Sequence, residues 1–196
     1  METGSAQYPF GTLQQAVDRA AAGDTILVAP AAYDAGATIT RPVVVLGDST
    51  AAGIPVFGGA IVVDGLAGGT VRVQRIRIAD APMGVMARGL GAGRVELERV
   101  VVERSGSHGV AGIGLAELRL TDVDVQGAVG EGIGADSTRY VRLERVRVDA
   151  VSAGSTGGPS LEGIGFGVAH ADSVLADSVE FRLGTVGGYD DPAKGY

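Results

Sequence analysis

Val71-Arg-Val-Gln-Arg-Ile-Arg-Ile78 returns as Val95 to Val102, as Leu118 to Val125, as Val141 to Val148 and, in looser form, as Val174 to Phe181. Successive starts lie 24, 23, 23 and 33 residues apart (71 to 95, 95 to 118, 118 to 141, 141 to 174), so one repeat carries an insertion. Each copy reads apolar-x-apolar-x-x-apolar-x-apolar. Two short strands of period two, joined by a two-residue bend, then point their apolar side chains the same way. A third strand starts at a glycine followed by an apolar residue: Gly84-Val85, Gly109-Val110, Gly132-Ile133 and Gly163-Ile164. A period of this length is the mark of a stacked, quasi-one-dimensional fold.

Three strands per repeat with no helix-length segment between them predict an all-β parallel β-helix, each coil hydrogen-bonded to the next at about 4.8 Å. A leucine-rich repeat and a calcium-binding β-roll each require a signature that is missing here. The preference for right-handed crossovers between parallel strands makes the coil right-handed. About six to seven coils of three strands are expected, roughly 30 Å of solenoid. The expectation is one domain over residues 1–196, with a cap-helix region at 8–23, coils at 24–183 and a tail at 184–196.

Upstream, Thr12-Leu-Gln-Gln15 is a capping-box pattern. Leu13, Val17 and Ala20-Ala21 follow at helical spacing until Gly23. An amphipathic helix of about three turns is expected to cover the open end of the first coil, which otherwise exposes apolar core and unpaired strand groups.

Glycine is 33 of 196 residues, yet 45% of the chain is hydrophobic, so the glycines belong to coil corners and not to a disordered chain. The net charge of −7 argues against nucleic acid or an anionic membrane as partner. No apolar run is long enough to span a bilayer, and the absence of cysteine excludes disulfides and thiolate metal sites. No cofactor motif appears. Asp122 and Asp124 lack the further oxygen ligands of a calcium site, so no metal or cofactor is expected.

Tyr8-Pro-Phe-Gly-Thr-Leu-Gln-Gln-Ala-Val17, Ala22-Gly-Asp-Thr-Ile-Leu-Val28 and Arg41-Pro-Val-Val-Val-Leu-Gly47 resemble the opening of pectin-lyase-like right-handed parallel β-helix proteins. The resemblance implies the fold over nearly the whole chain. Its members range over polysaccharide lyases, hydrolases, epimerases and surface proteins without known activity, so it implies no single function. The Trp-Ile-Asp-His and Arg-x-Pro-x-x-Arg segments of pectate lyases are missing. Of the polygalacturonase motifs, only Ser107-His108-Gly109 and Asp190-Asp191 come near. No catalytic residue is carried over.

Aligning the coils yields a local candidate site. The residue before the third-strand glycine is Met83, His108, Glu131 and Glu162 on four successive coils, which stacking places about 4.8 Å apart. His108, Glu131 and Glu162 are the candidate catalytic residues. A histidine beside two carboxylates can supply an acid and a base for glycosidic chemistry, since like charges side by side raise one carboxyl pKa. Solvated corner residues with no catalytic role are the alternative.

From Val148 to Ile164 is 16 residues where Val102 to Val110 and Val125 to Ile133 are 8, so eight extra residues protrude at the corner beside this ladder, including Ser155 and Thr156. The small outward residues Ala111, Gly134 and Gly165 form a shallow floor, and Phe166 with Tyr8, Tyr33, Tyr140, Tyr189 and Tyr196 is placed for outward use. Ala111, Gly134, Gly165, Phe166, Ser155 and Thr156 are the candidate substrate-binding residues. In proteins of the resembled superfamily the corresponding turn and strand commonly line a polysaccharide groove.

Two principal readings follow. One is a binding or structural module of a surface or secreted protein that contacts a polysaccharide or a protein partner. The other is a carbohydrate-active enzyme, with a self-assembling scaffold as a third alternative. An extracellular or cell-surface location is expected, although no signal peptide precedes the fold. The glycine-rich tail is a poor cap for the last coil, so a homo-oligomer or further domains of a longer parent chain are expected to cover it.

Overall fold

The computed structural model describes residues 4, 9–49, 53–149 and 164–182. The first element is a single helix, α1 (Leu13–Arg19). Thr12 closes the expected capping box with Gln15, whose side chain returns to the Thr12 backbone. The helix has seven residues against the three turns expected, because Ala20 already takes extended backbone angles and its carbonyl is held by Arg41. Leu13 and Val17 enter the core. Gln14 does the capping at the sheet: its amide accepts from Thr38 N–H and donates to Thr38 C=O, occupying free edge groups of the first coil.

The first coil consists of β1 (Thr25–Val28), β2 (Ala32–Tyr33) and β3 (Ala37–Ile39). The second is β4 (Val44–Gly47), β5 (Val56–Phe57) and β6 (Ile61–Leu66). In the third and fourth, β7 (Thr70–Ala79) and β9 (Arg94–Glu103) run through two faces without a break, followed by β8 (Val85–Gly89) and β10 (Val110–Ile113) respectively. The fifth is β11 (Glu117–Thr121), β12 (Asp124–Gln126) and β13 (Glu131–Asp136). The sixth is β14 (Tyr140–Glu144), β15 (Arg147–Asp149) and β16 (Ile164–Ala169), and β17 (Ser173–Asp177) and β18 (Glu180–Arg182) follow.

Every strand pair is parallel. One face is the column β1-β4-β7-β9-β11-β14-β17, and a second, joined to it through β7 and β9, is completed by β2, β5, β12, β15 and β18. The third face is a separate six-stranded sheet, β3-β6-β8-β10-β13-β16. The chain is thus a parallel β-solenoid. From β3 to β16 the third face makes about five turns, slightly fewer than the six to seven coils counted from sequence.

The repeat reads out directly as packing. Val71, Val95, Leu118 and Val141 stand in register and are fully buried, as are Ile78, Val102 and Val125, with Val148 almost so. The bend between the two strands is one left-handed residue per coil: Arg75, Arg99, Asp122, Arg145 and Ser178 all have φ between 51° and 56°. That single residue resets the alternation, so that Ile76, Val100, Val123 and Val146 return to the core and Val179 packs against it. Outside, neighbouring coils pair opposite charges, such as Arg72 with Glu96 at 2.5 Å, Arg104 with Asp80 at 2.6 Å and Arg145 with Asp122 at 2.6 Å. Exposed pairs of this kind contribute a few tenths of a kcal/mol each, roughly, and set register more than stability.

Candidate functional site

The third face differs from the others in what it turns outward. Where the first face carries Arg72, Glu96, Arg119 and Arg142 in register, the third carries Met86, Ala111, Gly134 and Gly167. Small residues on three successive coils leave a shallow open trough of about 440 Å3, lined also by His108, Glu131 and Asp136.

His108 and Glu131 are brought together as the spacing predicts. Gly84 N–H donates to His108 C=O and Gly109 N–H to Glu131 C=O, so Met83, His108 and Glu131 stand on one ladder. Gly109 is required there: a methyl group would collide with Val125 and with the carbonyl of Gly132. His108 Nε2 lies 3.5 Å from Glu131 Oε2, while its Nδ1 is buried without a hydrogen-bond partner among the described residues. The Glu131 carboxyl lies flat over the trough floor, where a methyl group on Gly134 or Gly167 would strike it. Burial there pushes the Glu131 carboxyl above its ordinary pKa, and the charge of His108 opposes that shift.

At the other end of β13, Asp136 Oδ1 meets His170 Nδ1 at 2.9 Å, and Ser137 donates to the same carboxylate. The His170 contact, chiefly, holds Asp136 below its ordinary value. The sequence pattern singles out neither Asp136 nor His170. The two lie 34 residues apart, across the insertion, so the 23–24 residue spacing does not align them.

The register of the last coil corrects five expectations. Glu131 pairs with Ile164 and Ile133 with Phe166, so the equivalent of Gly132-Ile133 is Gly165-Phe166 and not Gly163-Ile164. From Val148 to Phe166 is 18 residues where Val125 to Ile133 is 8, which makes the insertion ten residues and not eight. Ile164 therefore occupies the ladder position assigned to Glu162, and Glu162, Ser155 and Thr156 lie outside the described residues. Gly165 is buried, and the floor position is Gly167. Phe166 turns to the core and stacks on Phe181 at 5.9 Å between ring centroids. Tyr33 likewise stacks on Phe57 and donates to Ala29 C=O, so neither ring is a free platform.

A larger hollow of about 730 Å3 opens between α1 and β1. Among the described residues lining it there is no histidine–carboxylate pair, so the smaller trough is the candidate site. Among the described residues no group of three or more His, Asp or Glu side chains is arranged to hold a metal ion, and no helix is long and apolar enough to cross a membrane.

Fold and trough together define a parallel β-helix protein with one smooth face and two charged ones. The chain belongs to the family described as protein of unknown function (DUF1565), which it matches over residues 1–115. This is a family of β-helix proteins, and with the solenoid it fits the pectin-lyase-like resemblance. The match includes His108 and Ala111 and stops before Glu131. No curated protein and no solved structure matches the chain significantly.

Proposed function

We propose that the chain is a binding module of a secreted or surface protein, whose third face receives a neutral polysaccharide chain. The observation that carries this reading is the run Ala111, Gly134, Gly167 on the outward side of three successive coils, where the first face has long charged side chains in register. A saccharide lying in that trough finds carboxyl oxygens for its hydroxyl groups at Glu131, which lies over Gly134 and Gly167, and at Asp136 on the rim. The net charge of −7 disfavours polyanionic glycans. With Phe166 and Tyr33 packed away, hydrogen bonds and fit must supply the affinity, so binding is weak, with Kd about 0.1–1 mM. Isothermal titration against neutral and acidic oligosaccharides tests this. Equal or stronger binding of the acidic set overturns it.

A second reading, a carbohydrate-active enzyme, draws on the Glu131 carboxyl, held protonated to higher pH by burial beside His108. In that case Glu131 is the general acid, and Glu131→Gln lowers release of reducing or unsaturated ends by about 100-fold or more while the fold is kept. Unchanged turnover in that variant removes Glu131 as a catalytic residue.

A further inference from the structure

The last coil breaks the burial of the core ladders and ends a run of charged outward residues that extends from β7 to β14. Val174 and Phe181 continue the core ladders of Val141 and Val148, yet are 41% and 42% exposed where their predecessors are buried. On the outward side of the first face, Leu175 follows Arg142 and is 55% exposed. Among the described residues nothing stacks on β17, and within them its outer edge is an unpaired parallel strand edge.

The hydrogen bonding of that strand says which groups are free. Ser173 N–H donates to Arg139 C=O, and Asp177 C=O accepts from Arg145 N–H. The odd-numbered residues of β17 thus turn their backbone groups toward β14. Val174 and Ala176 turn theirs outward.

We propose that this edge pairs with the same edge of a second copy, antiparallel about a two-fold axis at Leu175, giving a tail-to-tail dimer. The five-residue strand is self-complementary about its centre. Val174 faces Ala176 of the second copy and Ala176 faces Val174, so the free backbone groups exchange hydrogen bonds in both directions. Leu175 faces Leu175 of the second copy as the close, non-hydrogen-bonded pair, where side chains approach most. Ser173 faces Asp177 of the second copy, a hydroxyl against a carboxylate. No like charges are opposed. An arginine at position 175, continuing Arg119 and Arg142, would set two guanidinium groups directly opposite each other. Leucine at this position removes that repulsion and adds apolar area. The two exposed core cross-sections, each with Val174 and Phe181, then cover one another. This contact is independent of the trough on the third face.

Sedimentation velocity on the full chain over a range of concentrations tests the proposal. The expected species is a dimer that grows no further, because a two-fold contact closes. Leu175→Arg and Leu175→Glu, both at an exposed position, should each weaken self-association by about 100-fold or more with unchanged far-ultraviolet circular dichroism. An equimolar mixture of the two variants should restore a heterodimer, which only the register with 175 opposite 175 allows. A wild-type chain that stays monomeric at about 100 μM overturns the proposal, with the end covered by its own tail or in no need of cover. So does a dimer insensitive to both substitutions, or assembly that continues beyond two.

Discussion

Val100 and Val101 are neighbours in sequence on opposite sides of the same strand, and the solenoid assigns them opposite costs. Val100 is fully buried between Ile76 and Val123, whereas Val101 is half-buried and stands outward between Arg77 and Asp124. Val100→Thr keeps shape and places a hydroxyl among apolar neighbours, which costs about 1–3 kcal/mol when unpaired. For a chain of this size that lowers Tm by about 2–12 °C, at roughly 2–4 °C per kcal/mol. Val101→Thr retains a β-branched residue on a polar face and should stay within about 0.5 kcal/mol of the parent. Val123→Asp, which drives a charge into the same ladder one coil on, should cost more than about 4 kcal/mol. Thermal melts followed by circular dichroism, with urea titration as the second probe, measure all three. Equal losses at 100 and 101, or the reverse order, would refute the register, because a slip of one residue exchanges the two faces.

Gly134→Ala and Gly109→Ala separate the trough from the scaffold. At 134 the three atoms nearest the new methyl group all belong to the movable Glu131 carboxyl, so stability should hold within about 1 kcal/mol while the Glu131 pKa, read by carbon-13 NMR, falls back toward its ordinary value. At 109 it meets the Gly132 carbonyl and Val125, and a loss above about 2 kcal/mol is expected in urea titration. The pH dependence of stability has two parts of opposite sign. Asp80, Asp122 and Asp136 are held below their ordinary values, first by hydrogen bonds from Arg104, Arg145 and His170, so their contribution is present above about pH 3.9 and lost as pH falls through their folded values. Glu131 is raised, so its contribution is full below about pH 4.3 and lost as pH rises through its folded value. Urea midpoints for Glu131→Gln should be flatter over that upper window and no lower than the parent at neutral pH; a steeper fall would contradict the burial of Glu131.

The two faces that carry the repeat were legible residue by residue: Val71, Val95, Leu118, Val141 and Val174 stand in the register that the spacing sets. Alternation over eight residues with one fixed bend leaves a single way to bury every apolar side chain. The third face was legible only as far as β13. Gly163-Ile164 and Gly165-Phe166 are the same dipeptide signal two residues apart, and a slip of two keeps the same side chains inward, so alternation does not discriminate between them. Pairing does, and it puts Ile164 beside Glu131. The helix was legible at its start, where Thr12 and Gln15 make a local motif, and overextended at its end, where Arg41, distant in sequence, binds Ala20 C=O. Asp136 with His170 was invisible for the same reason: only the turn of the solenoid brings them together.

The most direct test of the central claim is a nitrogen-15 NMR titration of the chain with a neutral oligosaccharide. The account predicts shifts concentrated at Ala111, Gly112, Gly134, Ala135 and Gly167, all on the trough, with the backbone of Arg72, Glu96, Arg119 and Arg142 on the first face unmoved. Shifts centred on that charged face, or none on the trough at saturating ligand, would contradict it.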